Sequence, residues 1–197
     1  ENELVKLTNS SLSLKDLHNI NRLRTLDADS LPALVKNIKA LKELNLSSCT
    51  NLTGMLKLAK DSLSQLEDLD CSGSNIDSAA FEALLKAAPN LKELNLRGCK
   101  NLTGTLALDK GSLSKLEVFG CPMSNIDSVA LQALLEAAPN LKTLNLYGCT
   151  NLTGTLALAK GSLLRLEVLD CSFNKIDSAA LQALLEAAPN LKTLNLR

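Results

Sequence analysis

Aromatic side chains make up only 2% of this 197-residue chain, and histidine occurs once, at His18. One histidine excludes a multi-histidine metal site, and no Ser/His/Asp constellation is distinguishable in the sequence. The six cysteines contain no C-x-x-C pair, the usual sequence sign of structural zinc. Charge of one sign is missing as well: Lys plus Arg and Asp plus Glu each total 21, so the formal net charge is zero. No global field recruits nucleic acid or an acidic membrane, and neither is expected as a partner. No apolar run approaches the ~20 residues of a membrane-spanning helix, and residues 1–10 lack the basic and apolar regions of a leader peptide. A phosphate-binding glycine loop is absent too, because Gly98, Gly104 and Gly111 belong to a longer repeat as turn residues. Neither catalysis nor a cofactor is expected.

What is present is leucine, alanine and repetition. LKELNLSSC, Leu41 to Cys49, returns as LKELNLRGC from Leu91 and LKTLNLYGC from Leu141. A sister form, LEDLDCSGS, starts at Leu66 and returns from Leu116 and Leu166. After a first interval of 18 residues from Leu23, every motif start up to Leu191 is 25 residues beyond the last. Within LKELNL, Leu44 and Leu46 alternate with Glu43 and Asn45, the period of a strand with one face buried. A return crossover starts the next strand in parallel, right-handed by the usual steric preference. Neither piece can bury its apolar side alone, so stacked neighbours must do it and a solenoid results.

The crossovers are of two kinds. Asp77 to Asn90 offers Asp or Ser as a helix N-cap, then Phe81, Leu84, Leu85 and Ala88 at helical spacing and Pro89 as a stop. Its copies start at Asp127 and Asp177. The alternate crossover, Asn151 to Leu163 and its copies, has glycines and only a short apolar alternation, which predicts a turn and an extended or 3₁₀ piece. Residues 1–22 keep spaced apolar positions without the motif, as a capping segment does, and residues 23–40 form a short degenerate coil with a helix over Leu31 to Ile38. Residues 191–197 form an incomplete last coil, so the chain is expected to be a single-domain fragment of a longer protein. Its uncovered strand offers an edge for homodimer contact.

Cys49, Cys99 and Cys149 recur every 50 residues, as do Cys71, Cys121 and Cys171. Members of one set stand two coils apart, ~9 to 10 Å at ~4.8 Å per strand, beyond the ~7 Å that a bridge spans. They read as buried thiols in the role of small hydrophobes, which favours a reducing, cytosolic setting. The sequons at Asn9, Asn51, Asn101 and Asn151 read as turn residues carried along by duplication.

The L-x-x-L-x-L heads and the fixed period resemble the leucine-rich repeat family over nearly the whole chain, from about Leu4 to Arg197. Leu41 to Thr53, L-x-x-L-x-L-x-x-C-x-x-L-T, is similar to the cysteine-containing subclass familiar from F-box proteins that select ubiquitylation substrates. Asn-Leu-Thr-Gly at Asn51, Asn101 and Asn151 resembles the turn of plant-type repeats. Ser74, Ser124 and Asn174 stand where the family carries its ladder asparagine. The resemblance implies a right-handed curved α/β solenoid, a parallel sheet on its concave face and helices alternating with extended or 3₁₀ segments behind. It implies binding of macromolecules through the sheet or its adjoining rim, and no chemistry. Bacterial effectors often carry such arrays, so an effector acting in a host cytosol is one expectation.

Candidate binding residues come from the exceptions to the repeat. The second motif position alternates strictly in sign from Lys42 and Glu67 onward, which predicts a charge ladder for register and solubility. The third and fifth positions are acidic in the first half of the array, at Glu43, Asp68, Asp70 and Glu93, and more neutral later. This suits a partner with a basic patch, or calcium near Asp68 and Asp70. Leu91 to Asn140 and Leu141 to Asn190 differ at 13 of 50 positions, and eight of these fall at Arg97/Tyr147, Lys100/Thr150 and six positions between Phe119/Leu169 and Asn125/Lys175, in or just after the strands. Two of these positions supply the four residues of a rim, Arg97, Met123, Tyr147 and Phe173, with side chains favoured at binding hot spots.

The expected function is a non-enzymatic module binding a protein partner through the concave sheet and the rim. Two other readings stand beside it. One is the targeting half of an enzyme such as a ubiquitin ligase, its catalytic or adaptor-binding part lying outside residues 1–197. The other is an idealised or engineered scaffold, suggested by the even period, although the irregular cap and the scattered rim substitutions count against it.

Overall fold

The structure is a computed structural model that describes residues 26–36 and 40–197. The expected cap over residues 1–22, with His18, lies outside the described residues, as does the end of the helix expected to reach Ile38. That helix is present as α1, Ser30–Val35. The elements then follow as β1 (Glu43–Asn45), β2 (Asp68–Asp70), α2 (Ser78–Ala87), β3 (Glu93–Asn95), β4 (Val118–Gly120), α3 (Ser128–Ala137), β5 (Thr143–Asn145), β6 (Val168–Asp170), α4 (Ser178–Ala187) and β7 (Thr193–Asn195).

The seven strands form one parallel sheet in the order β1 to β7, each in register with the residue 25 positions on. Leu44, Leu69, Leu94, Phe119, Leu144, Leu169 and Leu194 therefore stand side by side through the middle of the sheet. All but Leu194 are buried. Strands of three residues are short, but the ladder continues beyond them. Leu46 donates to the Asp70 carbonyl at 2.6 Å, and Gly73 to the Arg97 carbonyl at 2.7 Å.

The helical crossovers start where the aspartates predict. Asp77, Asp127 and Asp177 accept through Oδ1 from the amides of Ala80, Ala130 and Ala180 at 2.9, 2.9 and 2.8 Å. Their second oxygens accept from Gly54, Gly104 and Gly154 in the preceding coil at 2.7, 2.7 and 2.9 Å. One carboxylate thus caps a helix and holds the Leu-Thr-Gly turn of its neighbour, which explains why the two motifs recur together. At the other end, the amides of Asn90, Asn140 and Asn190 reach back to the carbonyls of Ser64, Ser114 and Leu164, each at 2.9 Å.

The alternate crossovers carry neither helix nor strand. They run as irregular backbone into turns such as Lys160–Arg165, without a 3₁₀ segment. Leu106, Leu113, Leu156 and Leu163 anchor them in the core. Two aromatics, Phe81 and Phe119, are 0% and 1% exposed. The framework is thus filled by leucine layers, which leaves the remaining two aromatics for the surface.

Candidate functional site

The second motif position behaves as a ladder. Glu67 receives Lys42 at 3.4 Å and Lys92 at 2.7 Å, while Glu117 pairs with Lys142 and Glu167 with Lys192, both at 2.9 Å. These contacts pull the carboxyls of Glu67 and Glu117 below their ordinary value, the lysine hydrogen bond being the main cause in each. All are solvated, so screening by water and salt leaves each contact weak.

One position further, the charges are left over. Glu43, Asp68 and Glu93 are register neighbours in adjacent strands, with Asp70 beside them. Among the described residues none of the four is in an ion pair. Partial burial raises the Asp68 carboxyl, and the negative charges of Glu93, Glu43 and Asp70 raise it further. This row runs into a concave hollow of about 450 Å³ whose far side is Val118, Gly120, Pro122 and Thr143. Calcium is not supported there: among the described residues no group of three or more His, Cys, Asp or Glu is arranged to hold a metal.

The fifth position does something the sequence pattern did not disclose. Asn45, Asp70, Asn95, Asn145 and Asp170 each accept through Oδ1 from the backbone amide two residues on, at 2.8 to 3.0 Å. These side chains turn the chain out of the strand. Asp70 is therefore a turn residue as well as part of the acidic row. Gly120 has no acceptor to offer, and the residue two beyond it is Pro122, which has no amide hydrogen. The interruption removes donor and acceptor together and opens the hollow.

The rim forms two rows. Arg97 and Tyr147 follow the last leucine of their strands, and Met123 and Phe173 stand one residue later in theirs. That later position has a left-handed backbone throughout: Ser48, Gly73, Gly98, Met123, Gly148 and Phe173 have φ of +59°, +63°, +70°, +57°, +65° and +52°. For a bulky side chain this is a costly conformation, on the order of 1–3 kcal/mol. Met123 and Phe173 are nevertheless there, and they are 39% and 69% exposed. The Phe173 ring tilts against the half-buried Tyr147 ring, with centroids 5.3 Å apart and 55° between planes. Lys100 donates to the Met123 carbonyl, and Arg97 is exposed.

All six cysteines are buried thiols. Spacing within each set says nothing of how the two sets meet, and here the structure adds a relationship. Cys121 and Cys149, on adjacent coils, have sulfurs 3.8 Å apart, and Cys149 donates to the Cys121 carbonyl at 2.9 Å. Cys99 donates likewise to Cys71 at 3.0 Å. Burial pushes Cys49 up to about 11 and Cys171 up to about 12. The Cys121 contact holds Cys149 below its ordinary value, while burial raises Cys121. Ser74 and Ser124 lie against the next coil's thiol at 3.7 Å, which is how serine serves where the ladder asparagine was expected. Two sequon amides are also in use, Asn101 reaching the Asn75 carbonyl at 3.1 Å and Asn151 the Asn125 carbonyl at 3.2 Å.

The architecture defines the class of protein: a curved solenoid of leucine-rich coils with an exposed parallel sheet. The chain belongs to the leucine-rich repeat family, matching the family model described as At1g61320/AtMIF1, LRR domain, over residues 4–197. No curated protein matches it in sequence. Among solved structures it is similar to an internalin, InlF, of Listeria monocytogenes, with a TM-score of 0.57 and 21% identity over 83% of this chain and 43% of that one. A leucine-rich repeat protein of Leptospira interrogans gives 0.58 and 21% over 85% and 39%. The ectodomain of the Arabidopsis thaliana receptor kinase GASSHO1/SCHENGEN3, in complex with Casparian strip integrity factor 2, gives 0.55 and 23% over 85% and 19%. This chain thus spans less than half the length of each, and these likenesses concern the fold. No helix among the described residues is long and apolar enough to cross a membrane.

Proposed function

We propose that this chain is a non-enzymatic protein-interaction module that holds a partner across its concave sheet and adjoining rim. The observation that carries this is a contrast between neighbouring rows. The second-position charges neutralise one another, whereas Glu43, Asp68 and Glu93, one residue away, are in no ion pair among the described residues and border a hollow. A solenoid needs its leucines and its coil-to-coil hydrogen bonds, and it needs nothing of an uncompensated acidic row. Glu43, Asp68, Asp70 and Glu93 would guide a partner with a basic patch, since charges of this kind set encounter rate and orientation. Arg97, Met123, Tyr147 and Phe173 would anchor it, as exposed aromatics and arginine do at binding hot spots. The solved structure of the GASSHO1/SCHENGEN3 ectodomain in complex with Casparian strip integrity factor 2 is in keeping with this use of the fold.

The test is a selection of binders from a random peptide library on the full chain. Binders should lose affinity on a variant with all four rim residues changed to alanine, or on one with the four acids changed to their amides. If every selected binder keeps full affinity for both folded variants, the proposal fails.

A further inference from the structure

The rim has a charge character opposite to that of the sheet beside it. From Ser47 to Asn51, and in the matching stretches 72–75, 97–101, 122–125, 147–151 and 172–175, the only charged residues are Arg97, Lys100 and Lys175, and Arg197 continues the row. All four are exposed. Among the described residues none of the four is in an ion pair, and carboxylates close to the row in sequence are hydrogen-bonded already. Asp127 and Asp177 accept from backbone amides at helix starts, and Asp170 accepts from the amide and hydroxyl of Ser172.

Inside this cationic border lies the apolar group. Phe173 packs on Tyr147, and Met123 lies over Gly148, the glycine that follows Tyr147. Glycine fills the same position in three of the other coils, at Gly73, Gly98 and Gly148, and adopts the left-handed backbone without strain. The chain instead places its most exposed aromatic and an exposed methionine there.

We propose that the rim takes an acidic segment of a partner protein. An apolar side chain of the segment packs against Met123, Tyr147 and Phe173, and carboxylates on either side of it meet Arg97, Lys100, Lys175 and Arg197. The rim acts so only within the interaction-module function proposed above, to which it adds the chemistry of the partner. Because the sheet is acidic near β1 to β3 and the rim is basic, a partner carrying both a basic patch and an acidic segment is held in one orientation along the solenoid.

The probe is a short fluorescein-labelled peptide with a Leu-Phe centre and glutamates on both sides, compared with its lysine twin by anisotropy on the full chain. The glutamate peptide is expected to bind at least about tenfold tighter, and less so as salt is raised. Changing Met123→Gly and Phe173→Gly together suits the local backbone, so the melting temperature is kept or raised while affinity for the glutamate peptide falls about tenfold. Arg97→Glu with Lys175→Glu shifts the preference to the lysine twin. Equal binding of both peptides by the unmodified chain, binding of neither, or full binding by the double glycine variant overturns the inference. If the lysine twin binds and the double glycine change abolishes it, the acidic-segment inference is wrong and the interaction function stands. If library-selected binders also ignore both faces, the function itself is wrong.

Discussion

Met123 lies over Gly148: a Cβ added at position 148 would stand 3.2 Å from the Met123 Cγ, where the equivalent atom at Gly98 would meet nothing nearer than 3.8 Å. Both glycines need a left-handed backbone. Gly148→Ala should therefore cost more than Gly98→Ala, which carries the conformational penalty of roughly 1–2 kcal/mol alone. In a Met123→Gly background the two costs should become equal. Urea unfolding of the four variants measures this, and equal costs in the original background would show that the methionine yields freely.

Gly120 and Pro122 are a matched pair of losses in a series of side-chain turns. Gly120→Asn alone restores an acceptor with no amide to receive, and Pro122→Ser alone restores an amide with no acceptor. Together they should be more stable than the sum of the single changes by about 1 kcal/mol, the worth of one hydrogen bond. The double variant also fills the hollow, so binders of the concave face should weaken. An additive cycle would mean that the turn at β4 is held by other contacts.

Asp68 makes stability depend on pH in an unusual direction. Its carboxyl is raised, so the folded chain holds the proton more tightly than the unfolded chain, and stability is gained as pH falls through the folded value. Glu67 and Glu117 are lowered; their contribution is present above the unfolded value and is lost as pH falls through the folded one. Asp68→Asn should therefore stabilise the protein at neutral pH, by a few tenths of a kcal/mol or about that after solvent screening. The gain should vanish below the ordinary carboxyl range, near pH 3. Thermal melts of both proteins across this range decide it, and a constant difference would remove Asp68 from the acidic cluster.

The thiols should be silent in the folded state. Burial disfavours the thiolate at Cys49, Cys71, Cys121 and Cys171, and a bridge between Cys121 and Cys149 would have to close the 3.8 Å gap to about 2 Å within a filled core. A colorimetric thiol reagent at neutral pH should count six in denaturant and close to none within minutes in the native protein. Rapid reaction of two native thiols would contradict this picture.

The strands, the buried leucines and the three ten-residue helices were legible because each rests on a period that the sequence displays, two in the strand and 3.6 in the helix. The second-position ladder was legible for the same reason: a fixed register turns alternating charge into adjacent charge. The fifth-position side chains were not, since Asn95 bonding to the amide of Arg97 depends on the direction in which the chain leaves the strand. A recurring Asn or Asp two residues before the turn was the available signal. The pairing of Cys121 with Cys149 was hidden because they occupy different places in their motifs, and only the tight turn in which the Cys149 amide donates to the Leu146 carbonyl brings them level. The left-handed backbone of Met123 and Phe173 could be read only from the glycines at matching positions.

The exact register has a consequence for how such a chain changes in length. Removing Leu91 to Asn140 would join Asn90 to Leu141, and the new junction, Ala-Ala-Pro-Asn followed by Leu-Lys, is the one already present on both sides of the excised piece. No interface would have to be invented, because each helical coil would meet an alternate coil of the same kind. The rim would shorten by two strand spacings, about 10 Å, and Arg97, Lys100 and Met123 would leave together. Reach and specificity can thus be edited in whole units, by recombination between copies, without passing through a misfolded intermediate form.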